Sequence, residues 1–165
     1  MTDGMGVMQG WNDFFVAEAG AAAALAGLLF VAVSINLKRI LMFPHLPARA
    51  IEALVALVSV LAVSTWALVP GQPAMAYGLE IGGTGLLVWL AQTVALRMTF
   101  SSARKYPRLA LRVILCQLAA IPFAVAGLLL CLGAPGALYW TVPGTLFSFA
   151  CGLFDTWVLL VEIQR

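Results

Sequence analysis

Long apolar segments alternate with short polar ones along the whole chain, and this pattern predicts helices that cross a membrane. Residues 14–37 form the first such segment, about 24 residues in which Glu18, near the start, is the only charge. A helix of about 20 apolar residues crosses a bilayer core of roughly 30 Å. Four more segments follow, and they give predicted spans at about 14–37, 50–69, 74–96, 113–132 and 141–161.

Helix-breaking residues lie in the connections between these segments. Pro44 and Pro47 separate the first two spans, Pro70-Gly71-Gln72-Pro73 separates the second from the third, and Gly133-Ala134-Pro135-Gly136 precedes the last. Proline lacks an amide donor and ends helices, and Pro-Gly pairs mark turns. We therefore expect one all-α transmembrane domain over residues 1–165, an integral membrane bundle of five transmembrane helices.

Composition supports the membrane class. The chain has 165 residues, of which 63% are hydrophobic and 10% charged. A soluble domain carries about 25% charged residues, so most of this surface must face lipid.

The basic residues predict the orientation. All nine fall in the loops after the first and third spans or at the C-terminus, as Lys38, Arg39, Arg49, Arg97, Arg104, Lys105, Arg108, Arg112 and Arg165. Cytoplasmic loops are rich in Lys and Arg, so we expect the N-terminus outside and the C-terminus in the cytoplasm. The loop around Arg104 and Lys105 also offers charges to anionic lipid headgroups, although orientation alone explains them.

Small residues predict where helices pack closely. Gly20 and Ala24, and also Ala23 and Gly27, are spaced four apart in the first span. Close approach drives helix association in lipid, so we expect this helix to lie inside the bundle. In the third span, Gly78, Gly82 and Gly85 share one face and predict a second tight contact. Both faces favour a homo-oligomer.

Catalytic chemistry is not indicated. The single histidine, His45, lies in a proline-bounded loop, and the three cysteines (Cys116, Cys131 and Cys151) lie in apolar surroundings. These residues provide no zinc ligand set and no haem ligand within a span. We expect no enzyme activity, metal, cofactor or nucleic-acid partner.

Polar residues inside the spans are the candidate functional groups, because they are costly in lipid. Glu18 and Asn36 lie five helical turns apart on one face, roughly 27 Å. One hypothesis is that this face lines a pathway. The other is that each of the two residues merely lies at a helix interface. Glu80 has a depth similar to that of Glu18, and together they suggest a proton or cation site. The alternative is a protonated Glu80 bonded to a carbonyl or to Thr84.

Asp155 is the deepest acid, about two turns inside Glu162. Gln92 and Gln117 lie in the inner halves of the third and fourth spans and offer hydrogen-bonding partners. One hypothesis is a proton or cation relay. The other is a structural polar cluster that joins the last three spans.

The first span also resembles a known group of proteins. Trp11-x-Asp13-Phe14-Phe15, the run from Ala19 to Leu37 ending in Ser34-Ile35-Asn36-Leu37, and Leu68-Val69-Pro70-Gly71-Gln72 carry the resemblance. It is to small bacterial multi-pass membrane proteins, some of them labelled modulators of a membrane-bound AAA protease. The resemblance implies a bacterial inner-membrane location and an accessory role, without an active site.

Two functions follow from these patterns. The leading one is a small ion- or proton-conducting channel or transporter. Five spans are few to enclose a pore, so a pore would lie on an oligomer axis. The alternative is a non-catalytic accessory or regulatory subunit of a membrane protein complex, in which the same acids serve helix packing.

Overall fold

A computed structural model of the chain describes residues 10–43, 46–102 and 109–164. It confirms the all-α class, and no strand occurs in these ranges. The helices are α1 (Asn12–Ile35), α2 (Leu37–Met42), α3 (Leu46–Ala67), α4 (Ala74–Ser102), α5 (Leu109–Cys131) and α6 (Thr141–Gln164), with a 3-10 turn (Ala137–Trp140) before α6. His45 and the basic loop at Arg104, Lys105 and Arg108 lie outside the described residues.

Four segments of the described ranges are long and apolar enough to cross a membrane: Asn12–Ile35, Leu46–Ala67, Ala74–Val94 and Ala137–Trp157. In α5, the stretch Gln117–Cys131 is an apolar helix of shorter length. Large apolar side chains cover the outside, including Phe30, Ile35, Leu128 and Trp157. Such a surface is unsuited to water and supports a multi-pass membrane protein.

The tertiary contacts arrange α3, α4, α5 and α6 as a ring in which each helix packs on the next and α6 packs back on α3. The short turns between α3 and α4 and between α5 and α6 make those neighbours antiparallel. Gly133 (φ 66°) and Gly136 (φ 77°) adopt left-handed conformations in the second of these turns. Glycine adopts such angles without a steric penalty, so the chain reverses within a few residues.

Helix α1 lies at the edge of this ring, mainly against α3. Its buried residues are Phe15, Ala22 and Leu29, seven apart, which form one narrow face. The prediction that this helix lies inside the bundle is therefore wrong for the single chain. Its small residues Gly20 and Gly27 are exposed, and a Cβ atom at either would meet nothing within 4 Å.

Candidate functional site: the polar seam between α3 and α6

Four polar side chains are buried where α3 meets α6. Glu52 and Ser59 of α3 are 2% and 3% exposed, and Ser148 and Asp155 of α6 are 0% and 1% exposed. Within each helix the two residues are seven positions apart, which places them on one face. We call Glu52, Ser59, Ser148 and Asp155 the polar seam.

Neighbouring apolar contacts fix how the two helices align. Cys151 packs with Ala56 in one buried cluster, and a Cβ atom on Gly152 would lie 3.0 Å from Cγ of Leu57. Leu159, further along α6, packs with residues earlier in α3, so the helices are antiparallel.

The same alignment pairs the polar residues. Glu52 lies four residues before Ala56, and Asp155 lies four residues after Cys151, so both are one turn from the Ala56–Cys151 contact in the same direction. Ser59 and Ser148 lie three residues from this contact in the opposite direction. The alignment therefore brings two carboxyl groups to one level of the interface and two hydroxyl groups to another, about two turns away.

Three groups of the seam differ in their hydrogen-bond partners. The Cys151 thiol donates to Oδ2 of Asp155 over 3.8 Å, and the Ser59 hydroxyl donates to the carbonyl of Ala56 over 2.7 Å. The Ser148 hydroxyl is buried, and it has no hydrogen-bond partner among the described residues. A hydroxyl both donates and accepts, so Ser148 is able to relay a proton.

Two threonines continue the seam along α6. Thr141 and Thr145 are both fully buried, and with Ser148, Gly152 and Asp155 they follow a spacing of four, three, four and three. Their hydroxyls donate to the carbonyls of Leu138 and Val142 over 2.6 and 2.9 Å. Hydroxyl groups thus follow one face of α6 from its first residue towards Asp155, a distance of about 21 Å.

Gln92 and Gln117 lie in a different interface, that between α4 and α5. Here Gly78 faces Cys131 and Gly85 faces Ala124, with positions in the two helices changing in steps of seven. One further step of seven sets Gln92 opposite Gln117.

The two glutamines do not join Asp155. Both amide atoms of Gln92 and Oε1 of Gln117 are buried, and none of them is hydrogen-bonded to any described residue. The predicted cluster of Asp155 with either glutamine is therefore wrong for the described part of the chain.

Glu80 is hydrogen-bonded to residues near the start of α4. Its Oε2 accepts a hydrogen bond from Nε2 of Gln72, and the Thr84 hydroxyl donates to its backbone carbonyl over 2.7 Å. Thr84 was an expected partner, but it binds the main chain of Glu80 and not the carboxyl group.

Glu18 lies between Phe15 and Ala22 on the buried face of α1 and is half-buried. Phe15 contacts Tyr77 of α4, with ring centroids 6.4 Å apart. Glu18 and Glu80 each follow these aromatic residues by three positions, so their depths are similar, as predicted.

The face between Glu18 and Asn36 is an apolar packing surface. Leu25, Leu29 and Val33 on this face pack against α3 and Leu159. Helix α1 ends at Ile35, and the amide of Asn36 donates to the carbonyl of Ala32 over 2.9 Å. This bond closes the helix end, which favours the interface role for Asn36 over a pathway.

The glycine positions divide into two groups. Gly78, Gly82 and Gly85 lie against α5, where a Cβ atom on Gly85 would be 2.6 Å from the backbone nitrogen of Ala124. Gly20, Ala24 and Gly27 of α1 are exposed and do not pack against the other described helices.

Sequence reasoning missed the α3 half of the seam. The predicted span 50–69 begins two residues before Glu52, but α3 begins at Leu46, so Glu52 lies nearly two turns inside the helix. The seven-residue spacing of Glu52 with Ser59, and of Ser148 with Asp155, was the available signal. It predicts shared faces, but not which faces meet.

Comparisons with known proteins identify no relative: no protein-family model, no curated protein and no solved structure matches this chain.

Proposed function

We propose that this chain is a five-span membrane protein that carries protons across the bilayer along the polar seam. The observation that carries the proposal is the burial of Glu52 and Asp155, at 2% and 1% exposure, at one level of the α3–α6 interface. Carboxyl groups are costly within a membrane, and those that persist there commonly serve as proton relays.

A proton suits this interface better than a hydrated ion. Gly152 approaches Leu57 so closely that a single added carbon would lie 3.0 Å from the leucine. A hydrated ion does not fit between helices packed in this way. A proton passes between hydrogen-bonded groups and needs only small rotations of the side chains.

Each part of the seam then has a role. The hydroxyls of Thr141, Thr145 and Ser148 accept and donate protons from the outer end of α6. Asp155 and Glu52 take the proton at the inner end, where a carboxyl group exchanges it with water. This assignment uses an external N-terminus and a cytoplasmic C-terminus, which the positions of the basic residues favour.

The resemblance of the first span suggests a bacterial inner membrane as the location, with lipid as the surrounding partner. The uncovered small residues Gly20, Ala24 and Gly27 favour a homo-oligomer, because small residues let helices approach closely in lipid.

Proton flux in proteoliposomes tests the proposal. The purified chain is reconstituted with a pH-sensitive dye inside, and a potassium diffusion potential drives protons inward. We expect Asp155→Asn, which keeps the side-chain shape but cannot ionise, to lower the flux at least about tenfold. Asp13→Asn is the matched control, because Asp13 is exposed on α1 and lies outside the seam. Equal flux in the two variants, or wild-type flux no greater than that of empty liposomes, would contradict the proposal.

One observation favours a second function, that of an accessory subunit of a membrane complex. The exposed face of α1 that contains Gly20 and Gly27 is flat and uncovered. Under this alternative, Gly20→Leu would release the chain from its complex in native membranes while leaving its own fold intact. Retention of the complex would count against it.

A further inference from the structure

Among the buried oxygen atoms near the outer end of the bundle that lack hydrogen-bond partners in the described ranges, three come from α1, α3 and α4. They are Oε2 of Glu18, Oγ of Ser64 and the phenolic oxygen of Tyr77. Ser64 and Tyr77 are fully buried. Leaving a buried hydroxyl unpaired is unfavourable, so this arrangement calls for a ligand that satisfies these groups.

Packing brings the three oxygens into one region. Phe15 and Ala22 flank Glu18 on α1, and both belong to the buried cluster that contains Tyr77. Val60 and Val63 of α3 belong to the same cluster. Ser64 follows Val63 and lies one turn beyond Val60, so α1, α3 and α4 each supply one oxygen around this cluster.

The alignment of α1 with α3 supports this placement. Leu29 packs with Ala53 and Leu57, whereas Ala22 packs in the cluster of Val60 and Val63. Later residues of α1 therefore pack against earlier residues of α3, so the two helices are antiparallel. Glu18 precedes Ala22 by one turn, and Ser64 follows Val60 by one turn. Because Ala22 packs near Val60, Glu18 and Ser64 lie at similar levels of the two helices.

We propose that Glu18, Ser64 and Tyr77 form a binding site for a hard monovalent cation such as Na⁺. One carboxylate and two hydroxyls offer oxygen ligands, which hard cations prefer over nitrogen or sulfur. A cation is able to contact all three oxygens together. A proton on Glu18 donates a single hydrogen bond and satisfies only one other oxygen.

The charges match a single positive ion. The Glu80 carboxyl interacts electrostatically with Tyr77, but its Oε2 is already bonded to Gln72. Glu18 is therefore the carboxylate that remains for the ligand. It is half-buried, about one and a half turns from the start of α1, which gives a cation a route from the outer surface.

Sodium binding to the purified full-length chain tests this proposal independently of proton flux. Equilibrium dialysis with ²²Na⁺ is expected to show one ion per chain. The melting temperature should rise with NaCl along a saturating single-site curve, because a ligand that binds only the folded state stabilises it. Choline chloride at equal ionic strength should give no such rise.

Variants locate the site. Glu18→Gln should abolish saturable sodium binding, and Ser64→Ala and Tyr77→Phe, which each remove one hydroxyl oxygen, should weaken it at least about tenfold. Asp13→Asn removes the same charge from an exposed position of the same helix and should bind sodium normally. Proton flux should persist in Glu18→Gln, so the two proposals fail separately.

Three results would overturn the site. They are unchanged sodium binding in Glu18→Gln, an equal melting shift with choline, and no sodium binding by the wild-type chain. A larger melting shift with Ca²⁺ than with Na⁺ at equal concentration would overturn the assignment to a monovalent ion.

Discussion

The two helix interfaces α4–α5 and α3–α6 solve the packing problem in lipid differently. In α4–α5, backbones meet directly: Gly127 contacts Gly82, and Gly78 faces Cys131. In α3–α6, Gly152 approaches Leu57 closely, and the interface also holds two carboxyl and two hydroxyl groups. One interface brings backbones together along a glycine stripe, and the other encloses ionisable side chains.

The difference indicates which interface is structural and which is available for function. Glycine contacts give dispersion and close packing without titratable groups, and they hold two helices together in lipid. Buried carboxyl groups are costly in lipid, and in the proposed function they are retained as proton carriers. The α4–α5 pair is thus the framework against which the α3–α6 seam is held.

The largest expected effect is on the glycine interface. In Gly127→Ala, the new Cβ atom would overlap the backbone of Gly82, which cannot move aside as a flexible side chain would. We expect a loss of about 1–3 kcal/mol in the free energy of unfolding. Chemical unfolding in detergent micelles measures this value.

Gly83→Ala is the matched control, in the facing helix α4. Gly83 is exposed, and a Cβ atom there would meet nothing within 4 Å. Alanine should stabilise the helix by roughly 0.5–1 kcal/mol, because glycine loses more backbone entropy on folding. If both variants changed stability in the same direction, the close packing of Gly127 would be in doubt.

A smaller effect, of opposite sign, is expected at Gln92. Both of its amide atoms are buried without partners among the described residues, in an interface that is otherwise apolar. Gln92→Leu should therefore stabilise the chain by about 1 kcal/mol, since it removes an unpaired polar group. The same unfolding measurement applies, and a loss of stability would show that the amide makes a favourable contact with Gln117.

Much of the fold follows from the sequence because the bilayer imposes a strong constraint on length. The predicted span 74–96 and the helix Ala74–Ser102 begin at the same residue, and the last predicted span, 141–161, begins where Thr141–Gln164 does. Proline and glycine mark both starts. The ends differ because apolarity decreases before the helix stops: α4 continues through Arg97, whose aliphatic stem allows its charge to reach the interface.

The partners of each face could not be predicted in the same way. Gly78, Gly82 and Gly85 predict a tight contact, and the structure places α5 against them. Gly20 and Gly27 present an equally flat face, yet they face outward. A small-residue face looks the same in sequence whether it meets the same chain or another one.

The seam was only half visible for a related reason. Asp155 was recognisable because it lies nearly two turns inside the end of the predicted span 141–161. Glu52 was not, because the predicted span began at residue 50 and treated Arg49 as a loop residue. Helix α3 in fact begins at Leu46, and the acid lies on the face that meets α6. A shift of four residues in one boundary thus hid half of the site.

Disulfide crosslinking across α3 and α6 tests the central claim, the pairing of polar residues in the seam, most directly. In a chain whose three native cysteines are replaced by alanine, Ser59→Cys is combined with Ser148→Cys. Leu146→Cys replaces Ser148→Cys in the control, since Leu146 lies two residues away in the same helix but is 60% exposed on another face. We expect rapid oxidation to an intramolecular crosslink for the Ser59–Ser148 pair and no crosslink for the control pair. Crosslinking of the control pair alone, or of neither pair, would contradict it.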